Sequence, residues 1–377
     1  MDNPFDLAVV GSGIVGLSCA RAAALRGLRV VVIDRDAECR GASVRNFGFI
    51  TVTGQERGIA WERARRTRAI WEDVARQADI PVLQRGLWLT TRRREAAALL
   101  ESFVKTEMGE GCEILSRTSA YARCPELVGP DVQAVLHSSV ELRVESREAI
   151  PKVAAWLAER FGVKFMRKTA VLSVEPPRLE TTRGRVEATA AVVCPGDDAI
   201  SLFSESLAKY NVTRCKLQML RLESPGFRLP GAVMSDLGLV RYLGYSALPE
   251  SAALRARLEV EQPEHLRHGI HLIAVQSADG SLIVGDSHHY GETPDFFAQQ
   301  RVDDLMLEEF ASATGVLPPP IRERWIGTYA ASGERTMLID QPRPEVRVAM
   351  ITSGSGASTG FAIGEEVVND LFGGGGG

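Results

Sequence analysis

Apolar and polar positions divide the first part of the chain into a strand, a helix and a second strand. Residues 7–10 form a short apolar run typical of a buried strand, residues 14–26 have the pattern of a helix, and 29–33 form a second apolar strand. Gly27 stands where a glycine commonly ends a helix. The pattern therefore predicts a βαβ unit at the start of the chain.

Further along the chain, amphipathic helical patterns alternate with strand-like segments. Helices are predicted over 56–78, 94–109, 146–161 (with Ser146 as its N-cap), 293–313 and 361–372. Strands are predicted over 85–91, 134–144 (a strand pair or a strand and turn), 163–174, 186–196, 215–245, 272–287, 325–339 and 346–351. Within 272–287 the pair Asp279-Gly280 favours a hairpin turn.

The order of these elements predicts a discontinuous α/β fold. Patterns of the βαβ kind stand at both ends of the chain and enclose β-rich material, so the chain returns to its first domain at its end. We expect a discontinuous Rossmann-like domain and a second, β-rich domain. The first takes residues 1–84, 145–214 and 326–372, the second takes 85–144 and 215–325, and 373–377 form a flexible glycine tail.

The turn after the first strand, Gly11-Ser12-Gly13-Ile14-Val15-Gly16, fits the G-x-G-x-x-G pattern of dinucleotide-binding proteins. Gly11 allows a tight turn, Gly13 lets a pyrophosphate approach the backbone, and Gly16 lets the helix pack closely on the strand. The helix N-terminus offers N–H groups and a positive dipole end to phosphates. Asp34, which ends the second strand, is placed to accept a ribose hydroxyl. The alternative is a glycine-rich turn in some other α/β unit.

Two later glycine-rich segments extend this hypothesis. Residues 41–49 form a polar loop that either lies against a cofactor or is a plain surface connection, and residues 353–360 follow the last buried strand. Backbone N–H groups in such a loop can meet an anionic or carbonyl oxygen. The predicted cofactor contacts are Gly11, Gly13, Ile14, Val15, Gly16, Asp34, Arg35, Ser43, Arg45, Asn46, Val171, Gly196, Gly354, Gly356, Ala357, Ser358 and Thr359.

Composition removes several classes of function. Apolar residues are 45% and charged residues 24%, which is ordinary for a globular protein, and the net charge of −4 gives no attraction to nucleic acid or anionic membranes. No apolar run approaches the length of a bilayer span. The first strand begins so early that no signal peptide is expected, and the 6 cysteines lack metal-binding spacing. We therefore expect reduced thiols, no metal site and a cytoplasmic location.

Four separated motifs, 11–34, 191–196 (AVVCPG), 281–287 (SLIVGDS) and 351–364, resemble in order and spacing the D-amino-acid oxidase/glycine oxidase/sarcosine oxidase superfamily. The resemblance covers essentially the whole chain. It implies FAD as the cofactor and oxidation of a C–N bond beside the flavin N5. It also implies that the Rossmann-like domain binds FAD, that the β-rich domain is an antiparallel-sheet substrate domain, and that the flavin ring is enclosed between the two.

Departures from the family pattern refine this expectation. Gly327 stands at the position of the flavin-linked cysteine of sarcosine oxidases, and no histidine lies around Arg45-Asn46, so FAD is expected to bind noncovalently. Tyr329 stands where relatives have an arginine segment for the substrate carboxylate, which argues against an ordinary α-amino acid. Residues 353–364 contain no lysine, arginine or histidine, which leaves the electron acceptor open between oxygen and another molecule.

Residues 141–148 (ELRVESRE) and 45–48 (RNFG) are similar to a branch of this superfamily associated with phosphonate breakdown. That similarity implies that the substrate is a 2-aminoethylphosphonate-like amine, with or without an N-methyl group. The amine is expected to be oxidised to an imine, which water hydrolyses to an aldehyde. The alternatives are a glycine, sarcosine or D-amino-acid oxidase, an FAD dehydrogenase with a non-oxygen acceptor, and a dinucleotide sensor without turnover.

An anionic amine requires cationic partners. The catalytic candidates are Arg241, next to Tyr242, and His288 and His289, which precede Tyr290. Adjacent strand residues face opposite sides, so only one of the two histidines is expected to point into the site. A surface ion pair for the arginine and a solvated strand end for the histidines are the alternatives. Tyr329 is the fourth candidate, on the substrate face of the ring.

Overall fold

The computed structural model of the chain describes residues 4–373. Its strands are β1 (Phe5–Val10), β2 (Val30–Ile33), β3 (Phe49–Ile50), β4 (Val82–Thr91), β5 (Cys112–Ser116), β6 (Ala134–Val144), β7 (Lys164–Met166), β8 (Val171–Glu175), β9 (Arg178–Thr181), β10 (Gly184–Val193), β11 (Thr213–Leu222), β12 (Ala232–Ser235), β13 (Ile273–Gln276), β14 (Leu282–Gly285), β15 (His289–Gly291), β16 (Ile321–Ala331), β17 (Met337–Arg343) and β18 (Val346–Ile351).

The helices are α1 (Ile14–Leu25), α2 (Ile59–Gln77), α3 (Arg94–Phe103), α4 (Arg117–Arg123), α5 (Ser146–Phe161), α6 (Ser204–Ala208), α7 (Leu243–Ser246), α8 (Ser251–Glu261), α9 (Pro263–Arg267), α10 (Gln300–Thr314) and α11 (Gly356–Phe372). Of the predicted glycine tail, residues 374–377 lie outside the described residues.

The first sheet is the predicted nucleotide-binding sheet. Its strand order is β17-β18-β10-β1-β2-β7, and β1 runs parallel to both β2 and β10. Leu7 and Val9 pack into one hydrophobic core, whereas Ala8 packs into a second core on the other face. Because both faces are covered, β1 is apolar along its length rather than alternating, which is why its sequence predicts a buried parallel strand.

The second sheet is predominantly antiparallel and has the order β15-β11-β14-β13-β12-β4-β6-β3, with β16 paired to β11. The hairpin predicted around Asp279-Gly280 is confirmed as β13 and β14. The pairing of β12 with β4 is parallel. One face of this sheet packs on α3, α8 and α10 in the largest hydrophobic core.

Strands from three distant parts of the chain meet in the first sheet, where β10 lies between β1 and β18. The chain therefore returns to its starting sheet, as predicted. The domain limits themselves stay a prediction; the limits at 84/85 and 325/326 fall inside β4 and β16.

Several predicted elements differ from those observed. Residues 215–245 do not remain strands, because after β12 the chain turns through a short 3₁₀ segment, Asp236–Val240, into α7. Helix α10 begins at Gln300 rather than at 293, and residues 134–144 are one strand. Helices α4, α8 and α9 were not predicted. Their residues are short of a sustained 3.6-residue pattern, and tertiary packing decides their conformation.

Two helix starts also need correction. The N-cap of α5 is Glu145, and Ser146 lies inside the helix, where its hydroxyl donates to Asn46 Oδ1 at 2.8 Å. Helix α11 begins at Gly356, five residues before the predicted start at Phe361. Residues 356–360 of the glycine-rich segment therefore form the first turn of this helix, and only residues 353–355 precede it.

Across residues 4–373, no helix has both the length and the apolar character needed to cross a lipid bilayer.

Candidate active site

A cavity of about 1150 Å³ is lined by loops and strand ends of both sheets. One part, here called the glycine arm, is lined by residues 11–16, 34–36, 41–43, 45–46 and 353–359. The other part, here called the polar arm, is lined by Arg241, Tyr242, His271, Asp286, His288, Tyr290 and Tyr329. Ligand pockets usually occupy about 300–1,000 Å³, so the cavity has room for a long cofactor together with a small substrate.

The glycine arm begins at the turn between β1 and α1. Gly11 has a φ of +103°, and a Cβ there would lie 2.4 Å from the carbonyl oxygen of Cys194. A Cβ on Gly16 would lie 1.9 Å from the carbonyl oxygen of Gly11. These contacts exclude any side chain at either position, so the glycines of the motif are required by the turn itself.

Gly13 serves the approach of a ligand rather than the packing of the turn. It is the N-cap of α1, it has no side chain to cap the helix, and a Cβ there would lie 3.1 Å from Ser43 Oγ. The N–H of Ile14 donates to that same hydroxyl at 2.9 Å. The remaining N–H groups of the first helical turn have no intrahelical acceptor and are available to an anion.

Asp34 is held rigidly at the end of β2. Its Oδ2 accepts hydrogen bonds from the N–H and the hydroxyl of Ser12 at 2.7 and 2.6 Å, and its Oδ1 accepts from the N–H of Asp36 at 2.9 Å. A carboxylate has about four acceptor positions, so one remains for a ribose hydroxyl. The neighbouring Arg35 extends into solvent, 3.5 Å from Asp198.

A second helix N-terminus reaches the same arm. Helix α11 has Ser355 at its N-cap, and the Ser355 side chain makes no capping hydrogen bond to the helix backbone. It packs directly against α1 because it presents glycines: a Cβ on Gly360 would lie 3.2 Å from Ile14 Cγ1, and one on Gly364 would lie 2.5 Å from the backbone of Ser18. Two positive helix ends therefore stand side by side at the glycine arm.

All seventeen residues predicted to contact the cofactor line the cavity. The loop 41–49 thus faces the cavity and is not a plain surface connection. The two segments that resemble the phosphonate-linked branch also touch each other: Arg143 Nε donates to the carbonyl oxygen of Phe47 at 3.2 Å, and Asn46 accepts from Ser146. The end of β6 and the start of α5 therefore both bond to the loop 45–48.

The polar arm is assembled by the strands of the second sheet. His271 and Asp286 exchange backbone hydrogen bonds of 3.3 and 3.1 Å just beyond the β13–β14 hairpin. Cys215 of β11 is paired with Tyr290 on one side and with Tyr329 on the other. A Cβ on Gly354 would lie 3.0 Å from Tyr329 Cζ, so this tyrosine marks the place where the polar and glycine arms meet.

Arg241 supplies the positive charge of the polar arm. It follows the 3₁₀ segment Asp236–Val240, and its Nη2 donates to the Tyr290 hydroxyl at 2.8 Å. Among residues 4–373, no carboxylate oxygen lies within 4.0 Å of its guanidinium nitrogens. The alternative of a surface ion pair is therefore wrong, and the guanidinium remains available to an anion in the cavity.

Beside Arg241 lies a buried cluster of His271, Asp286 and His288, residues that are 4, 5 and 7% exposed. Asp286 Oδ1 is 3.2 Å from His271 Nδ1 and 3.8 Å from His288 Nδ1. His288 Nδ1 lies 2.9 Å from the carbonyl oxygen of Gly269. Because a carbonyl only accepts, Nδ1 carries the proton there. Asp286 Oδ1 and His271 Nδ1 have no hydrogen-bond partner of good geometry.

Burial and charge perturb the protonation of this cluster. Burial raises the pKa of Asp286 from its ordinary value of 3.8 to about 7, although the nearby Arg241 guanidinium acts in the opposite direction. Burial, together with the Arg241 charge, holds the pKa of His271 and of His288 well below its ordinary range. At neutral pH both imidazoles are therefore uncharged.

The four predicted catalytic residues are not all in the cavity. Arg241, His288 and Tyr329 line it, whereas His289 does not. As the alternation of strand side chains predicts, His289 turns away, and its Nε2 lies 3.0 Å from His268 Nδ1. Sequence reasoning missed His271 and Asp286 as site residues. Asp286 stands at the end of the SLIVGD strand, and its position at the carboxyl end of a buried strand could have indicated it.

The glycine arm fits a flavin adenine dinucleotide on structural grounds. It combines an open N-terminal turn at α1, a side-chain-free approach at Gly13, a held carboxylate at Asp34, and a second helix N-terminus at α11. The first three features suit the diphosphate and ribose of an adenine dinucleotide. The fourth suits a carbonyl oxygen of the ring system at the far end.

Comparison with known proteins agrees with this reading of the fold. The glycine oxidase from Bacillus cereus ATCC 14579 superposes with a TM-score of 0.78 over 97% of this chain and 94% of its own, at 14% identity. The L-proline dehydrogenase from P. horikoshii gives 0.77 over 99% and 94%, at 18% identity. An L-alpha-glycerophosphate oxidase from Mycoplasma pneumoniae with FAD bound gives 0.75 over 98% and 95%, at 14% identity.

A search of curated proteins returned no match. The family model described as FAD dependent oxidoreductase (DAO) matches residues 6–369, nearly the whole chain. With the glycine arm and the fold, this match settles both the family and the cofactor: the chain belongs to the DAO family of FAD-dependent oxidoreductases.

Proposed function

We propose that this protein oxidises a C–N bond of a small amine that carries an anionic group. The observation that carries the proposal is Arg241, a cation of the polar arm with no carboxylate within 4.0 Å among the described residues. It shares one cavity with the glycine arm, where FAD binds. A substrate anchored by its anion at this arginine would have its amine end inside the same cavity.

FAD supplies acceptance of a hydride from the carbon that bears the amine. The residues of this chain position the substrate, exclude water and provide charge. Gly327 lines the cavity and offers no thiol for a covalent link to the ring, and the loop at Arg45-Asn46 contains no histidine. FAD is therefore proposed to bind noncovalently, through the contacts of the glycine arm.

A phosphonate is favoured over a carboxylate as the anion. Arg241 and the hydroxyl of Tyr290 are joined at 2.8 Å, and His288 lies nearby with its ring 6.5 Å from that of Tyr290. A guanidinium has five N–H donors and Tyr290 adds its hydroxyl, so together they offer enough donors for a group with three oxygens. Charge-assisted hydrogen bonds to such a group are stronger than neutral ones. The proposed substrate is a 2-aminoethylphosphonate-like amine, with or without an N-methyl group, whose imine is hydrolysed to an aldehyde.

An amino-acid substrate is the second candidate, because two structural neighbours are a glycine oxidase and an L-proline dehydrogenase. Tyr329 argues against it. It occupies the position at which the family's arginine segment would hold an α-carboxylate, and the polar arm draws its arginine from another element, after Asp236–Val240. The electron acceptor is oxygen or another molecule; hydrogen peroxide formation under air would indicate oxygen.

The test is anaerobic mixing of the purified flavoprotein with amines matched in length. The panel contains 2-aminoethylphosphonate, its N-methyl derivative, β-alanine, glycine, sarcosine and propylamine. We expect loss of the oxidised flavin absorbance with the phosphonates at lower concentration than with β-alanine, and little loss with propylamine. If glycine or sarcosine reduces the flavin at lower concentration than the phosphonates do, the amino-acid alternative is favoured. If no amine reduces the flavin, amine oxidation is refuted.

A further inference from the structure

Oxidation of an amine requires that its nitrogen lone pair is free. An alkyl ammonium ion has a pKa near that of lysine, about 10.4. At neutral pH nearly all of the substrate is therefore in the protonated ammonium form, whose nitrogen has no free lone pair. A hydride leaves the neighbouring carbon only when the lone pair can form the new C=N bond. Some group in or near the cavity must therefore accept this proton, and the chemistry proposed above does not name it.

Two buried polar atoms in the polar arm have no partner. They are Asp286 Oδ1 and His271 Nδ1, which lie 3.2 Å apart without a hydrogen bond of good geometry. The two residues are 5 and 4% exposed, and both line the cavity. Buried polar atoms in folded proteins nearly always have a hydrogen-bond partner. A carboxylate oxygen only accepts, so a group that enters the cavity with a proton to donate can be the partner of Asp286 Oδ1.

The charges of the polar arm match an amine that carries an anion. Arg241 attracts the anionic group, and an ionised Asp286 attracts the ammonium group. The titratable and charged groups that face Asp286 are His271, His288, Arg241, Tyr242, Tyr290, Tyr329 and Cys215. Of these, both imidazoles are neutral at pH 7, and burial raises the pKa of the Tyr242 and Tyr329 phenols.

Asp286 is suited to exchange a proton near neutral pH. Burial raises its pKa to about 7, with Arg241 opposing the shift, so both protonation states are populated under working conditions. An aspartate of ordinary pKa would bind the ammonium but would return its proton at once. His288 is less suited, because burial and the Arg241 charge hold the pKa of its imidazole well below the ordinary range, so its unprotonated Nε2 is a weak base.

We propose that Asp286, whose backbone is paired with that of His271, accepts the proton that the substrate ammonium loses before its C–N bond is oxidised. The N–H bond breaks, its electron pair remains on nitrogen, and the proton forms an O–H bond on the carboxylate. The carbon then transfers a hydride, with two electrons, to FAD, and the nitrogen lone pair forms the imine. The Asp286 proton leaves to water after the product departs.

This inference depends on the proposed amine chemistry, and it is tested with the Asp286→Asn variant. Reduction of the bound flavin by 2-aminoethylphosphonate is followed by anaerobic stopped-flow from pH 6 to pH 10. At pH 7 we expect the variant to be slower by about 100-fold or more. The gap should narrow to about tenfold or less near pH 10, where the substrate is already neutral in solution. A ratio of wild type to variant that stays constant with pH would overturn the inference.

The matched control is Asp340→Asn. Asp340 is also 5% exposed, but it lies outside the cavity and bonds to Tyr210 at 2.7 Å. Its pH profile should coincide with that of wild type. Methylphosphonate, which has the anion without the amine, should bind wild type and Asp286→Asn equally in a flavin spectral titration. Weaker binding to Asp286→Asn would place Asp286 in anion recognition instead and would overturn the proposed role.

Wild-type protein supplies a second measurement if Asp286→Asn does not fold. With saturating 2-aminoethylphosphonate, the limiting rate of flavin reduction should fall as the pH drops below about 7, because protonated Asp286 cannot accept a proton. A fall of the limiting rate that instead follows the amine pKa near about 10 would overturn the inference. If no amine reduces the flavin of wild type, the proposed function fails. If amines reduce it but the limiting rate does not fall below about pH 7, only this inference fails.

Discussion

Replacing Arg241 should remove the protein's preference for an anionic amine without removing its ability to oxidise amines. The guanidinium has five N–H donors, and the structure uses one of them, toward the Tyr290 hydroxyl at 2.8 Å. The others remain for the substrate anion. Arg241→Met keeps much of the side-chain volume and removes both the charge and the donors, while Arg241→Lys keeps the charge and removes the planar fork.

The magnitude follows from the strength of hydrogen bonds between charged groups. Such a bond contributes about 1.5–3 kcal/mol, and every 1.4 kcal/mol changes a dissociation constant about tenfold. We therefore expect Arg241→Met to weaken half-saturation by 2-aminoethylphosphonate about 10- to 150-fold. Propylamine has the same amine and no anion, so its half-saturation should change by about twofold or less. Arg241→Lys should fall between wild type and Arg241→Met.

The assay is the concentration dependence of flavin reduction in anaerobic stopped-flow, with both amines and all three proteins. The quantity of interest is the ratio of the two half-saturation constants, because it cancels any general effect of the substitution on the fold or on FAD. An equal loss for 2-aminoethylphosphonate and propylamine would refute the assignment of Arg241 to the anion. So would an unchanged preference in Arg241→Met.

Three further predictions address the cofactor, the paired histidines and the buried carboxylate. Gly13→Val should weaken FAD binding about tenfold or more, because even a Cβ at this position would lie 3.1 Å from Ser43 Oγ, where the phosphates approach. The dissociation constant is measured by fluorescence titration of the apoprotein with FAD. Wild-type affinity in the variant would contradict it. His288→Asn should slow flavin reduction by 2-aminoethylphosphonate, whereas His289→Asn, outside the cavity, should stay within about twofold of wild type; equal effects would contradict the observed orientation. Burial raises the pKa of Asp286 from 3.8 to about 7. Between these two pH values the folded state keeps a proton that the unfolded state has lost. The free energy of unfolding of wild type therefore falls as the pH rises from 4 to 7. Asp286→Asn avoids this cost of about 4 kcal/mol, so its Tm should exceed that of wild type at pH 8 by more than at pH 5; a constant difference would refute the pKa shift.

Much of the glycine arm could be predicted from sequence because its chemistry belongs to the backbone. Gly11 and Gly16 are required by contacts within a single βαβ turn, and those contacts depend on residues close together in the chain. The motif therefore carries its own geometry, and Asp34 follows at a distance set by the length of one helix and one strand. Local constraints of this kind are readable without knowledge of the rest of the fold.

The polar arm could be predicted only in part because its members come from four separate segments. Arg241 and Tyr329 are recognisable as residue types, but their meeting depends on how β11, β14 and β16 pair. His271 escaped notice because nothing near it in sequence distinguishes it from a surface histidine. Its role depends on the backbone bonds with Asp286, which only the completed hairpin provides. Residues 236–245 were also predicted as strand, whereas the chain turns there to present Arg241.

The contact between α1 and α11 determines when the protein can first hold its cofactor. Gly360 and Gly364 bring the closing helix against Ile14 and Ser18, across the whole stretch of chain from Arg26 to Ser355. During synthesis the opening motif leaves the ribosome early, yet the second helix end that completes the cradle appears only after the sheets between them have been made. The complete cradle therefore forms only when α11 packs against α1, and a chain that stops before residue 356 would have only the half that α1 supplies.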